Sequence, residues 1–372
     1  MGKKYCCMEN MVMTKNFWSG KKVFITGHTG FKGSWTSLWL QNLGANLTGF
    51  SFENNSESDF FNCAQVGSGM HSIIGDIRDY KFLKNSMQSF GPDIVIHMAA
   101  QALVRQSYQN PIETYSTNIM GTVNMLEACR EVKTIKAVIN VTSDKCYANE
   151  EREEGYKENE PMGGYDPYSS SKGCAELVSS AYNDSFFLKN NNQALLASVR
   201  AGNVIGGGDW AKDRLIPDII RSLYKNNPVL VRNPNSVRPW QFVLEPIRGY
   251  LLLAEKLFEG KRNLSGGWNF GPRDKDVMTV ELIVQRMCKK WGNSSSWDIE
   301  TKKDNILHEA KYLKLDISKA KNVLNWNPVL NIEETIDFIV EWYKNFENKK
   351  DMKDISIKQI EEYQEKVTHE EY

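Results

Sequence analysis

Short apolar runs alternate with longer stretches whose apolar residues recur at helical spacing through the first half of the chain. The runs at 23–26, 47–50, 72–74, 94–97, 137–142 and 194–200 read as strands. Alternation of this kind predicts a parallel sheet with helices on both faces. A helix is expected over 34–43, stopping at Gly44, a residue suited to the left-handed cap position. Two longer helices with apolar stripes are expected at 112–132 and 169–187, each stripe fitting a core face or a contact between two copies of the chain. After Arg200 the character changes. Gly206-Gly207-Gly208, the prolines at 217, 228, 234, 239 and 246, and several tryptophans suggest a smaller, loop-rich second lobe, the kind of region in which specificity resides. The stretch 345–372 is rich in Lys, Glu and Asp with sparse apolar residues, and reads as a solvated terminal helix.

The 372 residues, 41% hydrophobic and 25% charged, are ordinary globular material with ample core. Lys+Arg and Asp+Glu balance at 46 each, so no net field favours nucleic acid or an anionic membrane, and phosphate binding must come from local arginines and helix termini. Seven cysteines, Cys6, Cys7, Cys63, Cys129, Cys146, Cys174 and Cys288, are scattered without Cys-x-x-Cys or Cys/His clusters. They suit reduced thiols in a cytoplasmic protein, with no metal site and no disulfide framework. Neither a signal peptide nor a transmembrane run is expected, and residues 1–16 read as an N-terminal extension.

Chemistry enters with Thr26-Gly27-His28-Thr29-Gly30-Phe31-Lys32-Gly33, which follows the first strand and opens the first helix. Glycines at this spacing let the backbone turn tightly and approach a pyrophosphate, whose charge is stabilised by the N–H groups and dipole of the helix. Further on, Tyr168-Ser169-Ser170-Ser171-Lys172 places Tyr168 and Lys172 on one helical face. The lysine ammonium is expected to favour the tyrosinate and draw the phenol pKa toward working pH, making Tyr168 a usable base. Together the two motifs point to nicotinamide-dependent chemistry on a Rossmann-type doubly wound parallel sheet with a smaller C-terminal substrate-binding lobe. The expected organisation is a nucleotide-binding domain at 17–200, a mainly substrate-binding lobe at 201–345 whose segments around 237–270 return to the first domain, and a charged helical tail at 346–372.

With Gly75-Asp76-Ile77-Arg78-Asp79, His97-Met98-Ala99-Ala100-Gln101, Asn118-Ile119-Met120-Gly121-Thr122, Arg200-Ala201-Gly202-Asn203 and Leu315-Asp316-Ile317-Ser318-Lys319-Ala320 added, the chain from Lys22 to Trp342 resembles the extended short-chain dehydrogenase/reductase family, and within it the nucleotide-sugar 4,6-dehydratases. At Thr142-Ser143-Asp144-Lys145-Cys146-Tyr147 the chain is similar to members acting on CDP-glucose; those acting on dTDP-glucose carry Asp-Glu where this chain has Asp144-Lys145. The resemblance implies an internal redox cycle with NAD. The carbon 4 hydroxyl is oxidised, water is eliminated across carbons 5 and 6, and the hydride returns to carbon 6, giving a 4-keto-6-deoxy sugar of the kind that feeds bacterial surface polysaccharides.

By the same resemblance, Ser143, Asp144, Lys145, Tyr168 and Lys172 are the expected catalytic residues. Lys145 serves either as the base at carbon 5 or as a charge that stabilises the enolate, and Asp144 either joins it or merely caps a turn. Gly27, Thr29, Gly30, Phe31, Gly33, Asp76, Ile77, Ala99, Ala100 and Gln101 are expected to bind NAD together with Tyr168 and Lys172. The acidic residue that usually ends the second strand and holds the adenosine ribose is missing around Phe50-Ser51-Phe52; Glu53 is either a substitute or an ordinary exposed loop glutamate, and Lys32 leaves room for NADP. Arg238, with Asn203 and Arg214 as weaker seconds, is expected on the substrate diphosphate. Trp210 and Trp240 serve either as a wall for cytosine or as packing anchors. The partners expected are CDP-glucose and a second copy of the chain. A 4-epimerase would share Tyr168, Lys172 and the glycine turn but has no use for Asp144 and Lys145, a dTDP- or GDP-sugar dehydratase would differ only in the base it recognises, and a dinucleotide-sensing regulator commonly loses the Tyr/Lys pair.

Overall fold

The computed structural model describes residues 15–53, 56, 59–189, 194–292, 295–299 and 312–370. The extension expected over residues 1–16 lies outside these up to residue 14. Strands β1 (Lys22–Thr26), β2 (Asn46–Ser51), β3 (His71–Ile74), β4 (Ile94–His97), β5 (Ala137–Val141) and β6 (Leu195–Ala201) join a strand at Gly266–Phe270 in a seven-stranded sheet. With that strand counted as seventh, the order is 7-6-5-4-1-2-3, and every neighbouring pair is parallel.

Successive residues of each strand enter opposite cores, as the two-residue period of a strand requires. Val23 and Ile25 of β1, Ile94 and Ile96 of β4, and Ala137 and Ile139 of β5 pack in one cluster; Phe24, Val95 and Val138 pack in the other with Met125 and Leu126. Chain direction reverses its progress across the sheet at β1, which lies between β2 and β4. The crevice beyond the carboxyl ends of the strands at such a point is where open α/β sheets bind ligands.

The helix expected at 34–43 spans Phe31–Asn42, and Gly44 follows it at φ +82°. The helix expected at 112–132 is interrupted: Pro111–Tyr115 runs into one π-turn, Ser116–Met120, before Gly121–Glu131. The next runs from Pro167 to Tyr182 and ends in a π-turn, Asn183–Phe187. In the second lobe Val237–Phe242 pairs in parallel with Asn203–Ile205 and antiparallel with Val277–Thr279. No helix among the described residues is long and apolar enough to cross a membrane.

The terminal segment corrects the expectation of a solvated helix. Met352–Glu370 is helical, but Met352, Ser356, Ile360, Tyr363 and Val367 form a buried stripe along it. Tyr363 meets Trp39 edge to face with ring centres 5.8 Å apart, so the last helix covers the helix that carries the glycine turn. The Tyr363 hydroxyl donates to Glu245 (2.7 Å), and Ser356 accepts the Trp342 indole N–H (3.0 Å). Two of the six buried positions described on this helix, Ser356 and Gln359, are polar, which is why composition hid the stripe. Ile360 is fully buried, and truncation to Ala is expected to destabilise the fold by about 2–4 kcal/mol through lost burial and a residual cavity. Urea unfolding monitored by tryptophan fluorescence checks this.

Candidate active site

The glycine turn is built from close approach. Gly27 sits at φ +75°, and a Cβ there would lie 2.6 Å from the Ala99 nitrogen; one on Gly33 would lie 2.0 Å from the Gly27 carbonyl oxygen. Gly30 differs: a Cβ on it would meet only the Gly27 oxygen, at 3.4 Å, and the residue is exposed. Internal packing therefore does not account for a glycine here. Gly30 is also the N-cap of Phe31–Asn42 and brings no side-chain cap, which leaves the first-turn N–H groups available to an anion.

Around the turn, several expected binders are already engaged in holding backbone. The Thr29 hydroxyl bonds Ser51 Oγ (2.8 Å) and donates to the Phe52 carbonyl (3.2 Å), fixing the end of β2. Glu53, beyond it, is exposed. Asp76 is gripped by Arg78 (2.8 Å), whose bond holds the carboxyl below its ordinary range although burial pushes it up. The Ile77 side chain lies in the core against Gly121, so only its backbone is left to flank a base. Ala99 and Ala100 follow β4, half-buried. Gln101 is braced by Asn118, which accepts its N–H (2.8 Å), donates to its carbonyl (2.9 Å) and donates also to Ser171 Oγ (2.8 Å). That amide ties the loop after β4 to the helix bearing Tyr168 and Lys172.

Asp166 caps that helix by accepting the Ser169 N–H (2.9 Å), and Pro167 occupies its first turn. Tyr168 and Lys172 are both buried and face the end of β5. Ser143 is hydrogen-bonded to the Tyr168 phenol, and its hydroxyl donates to Asp144 (2.9 Å). The expectation that Lys172 depresses the phenol pKa is not met. Burial pushes Tyr168 up to about 12, and the groups that pull against burial are Ser143 and Arg214. Lys172 is itself lowered to about 8 by burial, against the field of Glu176 one turn on. Its ammonium donates to the Val141 carbonyl (3.4 Å). Beneath it, His97 is held neutral, down to about 3, by burial and then by Lys172, and its Nδ1 meets the Thr26 hydroxyl at 2.6 Å.

Asp144 and Lys145 lie in the short turn Asp144–Cys146. Burial raises the Asp144 carboxyl above its ordinary range, with Lys145, Ser143 and Arg238 opposing. Room for this carboxylate is made by Gly202, where a Cβ would stand 3.1 Å from both Asp144 Oδ2 and Pro239 Cγ. Glu176 and Arg200 form a buried ion pair (2.7 Å) behind the site, joined by Ser198 and Thr142.

Positive charge gathers around Asp144. Arg238 is buried near Asp144, and Arg214 bonds Asp209 (3.1 Å). Asn203 stands half-buried on its short strand at the junction with the lobe. Lys32 completes the group: burial, then Lys172 and Arg214, bring it down to about 7. Sequence reasoning saw Lys32 only as a partner for a 2′-phosphate, and the signal was its place inside the glycine motif. Trp210 packs on Tyr343 with ring centres 5.1 Å apart, and the Trp240 indole donates to the Met278 carbonyl (3.2 Å); both are packing anchors. The pocket thus unites a phenol–serine pair suited to moving a hydroxyl proton, an adjacent acid and lysine suited to an elimination, and a cationic rim suited to a diphosphate.

A family model described as GDP-mannose 4,6 dehydratase matches residues 24–339. The chain is 55% identical to the CDP-glucose 4,6-dehydratase of Salmonella typhimurium over 96% of this chain and 100% of that one. Among solved structures it superposes on a UDP-glucose-4-epimerase from Stenotrophomonas maltophila with bound NAD (TM-score 0.76, 20% identity, 88% of this chain and 99% of that one). It likewise superposes on a dTDP-glucose 4,6-dehydratase from Bacillus anthracis in complex with NAD (TM-score 0.74, 20% identity, 88% and 98%). At that identity the structural likeness speaks to the fold.

Proposed function

The chain belongs to the GDP-mannose 4,6-dehydratase family, within the extended short-chain dehydrogenases/reductases, and on that footing we propose that it is a CDP-glucose 4,6-dehydratase that uses NAD. The observation that carries the reading is the 55% identity that extends over the whole of the Salmonella enzyme. The product is CDP-4-keto-6-deoxyglucose and the by-product is water.

The residues present fit NAD. Gly30 leaves open space for a pyrophosphate at an uncapped helix N-terminus, and Ala99 and Ala100 line the side toward the ribose and nicotinamide. Lys32 lies within the field of Lys172, Arg214 and Asp144, which places its charge beside the expected catalytic residues. When bound, NAD supplies reversible hydride exchange, taking the hydride of carbon 4 and returning it at carbon 6.

Tyr168 takes the proton of the carbon 4 hydroxyl while Ser143 holds the same oxygen by a hydrogen bond. With carbon 4 a ketone, the carbon 5 proton is acidified. Either Lys145 takes it while Asp144, which burial keeps ready to hold a proton, protonates the departing carbon 6 hydroxyl, or a charged Lys145 stabilises the enolate while Asp144 takes the carbon 5 proton and passes it to that hydroxyl; in both cases the hydroxyl leaves as water. Arg238, with Arg214 and Asn203, holds the diphosphate. The exposed side chains of Ile112 (85%), Met120 (52%) and Leu177 (60%) on the two long helices support a homodimer paired through these helices.

Incubation with NAD and, separately, CDP-, dTDP-, UDP- and GDP-linked hexoses, followed by mass spectrometry, tests the function. Loss of one water from CDP-glucose alone is the expected result. Loss from another nucleotide sugar reassigns the base, and loss from none, with NAD bound, moves the chain to the epimerase reading. The cradle has its own check: Gly30→Ala is expected to keep its thermal midpoint and lose about tenfold in NAD affinity, because the new methyl occupies ligand space. Gly33→Ala instead drives a methyl into the Gly27 carbonyl and lowers the thermal midpoint.

A further inference from the structure

Asp213 occupies the left-handed region at φ +61°, a conformation that aspartate tolerates better than most side chains. This turn sends two successive residues in different directions. Arg214 reaches Asp209 (3.1 Å) and sets a field at Tyr168. Asp213 pairs with two arginines from different parts of the chain: Arg232 of the second lobe at 3.3 Å and Arg105 of the nucleotide-binding half at 3.5 Å.

Arg105 lies in Val104–Gln109, directly after the loop that carries Ala99, Ala100 and Gln101. That loop is held at its other end by Asn118, which also bonds Ser171 beside Lys172. Arg232 is anchored in its own lobe by Asp218 (3.5 Å), and Arg221 pairs with the same carboxylate. The Asp213 carboxylate is therefore a clasp between the residue next to a diphosphate ligand and the loop along the nicotinamide side.

We propose that Asp213 is a positioning residue that couples the two ligands of this site, so that a nucleotide diphosphate seated on Arg214 strengthens NAD binding through the Asp213–Arg105 contact. The proposal rests on the assignment of NAD and a CDP-sugar to this pocket. Coupling is reciprocal by linkage, so NAD strengthens nucleotide binding by the same factor. Both members of the Arg105 pair are about half exposed, and an exposed ion pair supports only a modest effect, about three- to fivefold in affinity. A contact so exposed is also screened, and the factor is expected to shrink toward one at about 0.5 M salt.

The test titrates NAD by calorimetry with and without saturating CDP, which carries the diphosphate but cannot react. In the wild-type chain, CDP is expected to lower the NAD dissociation constant about three- to fivefold. Asp213→Asn, which tolerates the same φ, and Arg105→Ala are expected to leave each ligand's separate affinity within about twofold and to reduce the coupling to less than about 1.5-fold. Arg105→Lys keeps the charge and is expected to retain the coupling. Undiminished coupling in Asp213→Asn, or wild-type protein that binds both ligands independently, overturns the clasp. Failure of the wild-type chain to bind NAD or CDP at all overturns the assignment beneath it, and the clasp with it.

Discussion

Replacing Tyr168 by Phe is expected to lower turnover of CDP-glucose by about 10³-fold while leaving CDP-glucose and NAD binding within about twofold. The substitution removes one oxygen and keeps the ring that fills the pocket, so folding and nucleotide contacts survive and the loss falls on proton transfer. Its size follows from the surroundings of the phenol. Burial pushes Tyr168 up to about 12, so the ionised form it needs as a base depends on the groups that pull the other way, Ser143 and Arg214. Ser143 remains in the variant and still holds the substrate oxygen, which predicts a small residual rate. Steady-state kinetics beside calorimetric titration provide the check. Near-normal turnover in Tyr168→Phe would remove the phenol from the mechanism.

Lys145→Met is expected to separate the two halves of the reaction. Oxidation at carbon 4 depends on Tyr168 and Ser143 and should persist, whereas removal of the carbon 5 proton should fall about 10²- to 10³-fold. Two readouts follow it: release of water by mass, and incorporation of solvent deuterium at carbon 5 by NMR. Both should collapse together. Lys145→Arg then distinguishes the roles of the side chain. A guanidinium is always charged, so it supports an enolate but takes no proton; recovery of exchange in Lys145→Arg identifies an electrostatic stabiliser, and continued loss identifies a base. Full-rate water release from Lys145→Met would take this residue out of the elimination.

Much of the nucleotide-binding half was legible before any geometry. β1 to β6 fall within one residue of the expected runs, because strands buried between two layers of helices leave uninterrupted apolar segments. The seventh strand escaped notice for a physical reason: Gly266-Gly267-Trp268-Asn269-Phe270 opens with two glycines, residues that weaken strands, and reaches β6 from beyond the second lobe. The long helices were found, but their π-turns were not, since a single wide turn leaves no mark on an apolar stripe. At the site, the motifs located Ser143, Asp144, Lys145, Tyr168 and Lys172, and the fold gathers them at the end of β5. The sense of the Tyr168 shift was not legible, because spacing on a helix places a lysine nearby but says nothing about how much water is excluded. Lys32 and the room that Gly202 makes for Asp144 also required three dimensions.

The helix Met352–Glu370 rests on Trp39, from which most of the chain separates it. During synthesis the first nucleotide-binding helix thus emerges from the ribosome long before its cover exists, and the strand Gly266–Phe270 that completes the sheet is also made late. A nascent chain halted after β6 presents the indole face of Trp39 and an unpaired strand edge to solvent, both of them surfaces that chaperones bind and that self-association exploits. The two lobes are accordingly not successive folding units. The sheet and the cover over Trp39 are complete only once the segments after the second lobe have been made, and yield in a foreign host will depend on how long that exposed intermediate is shielded.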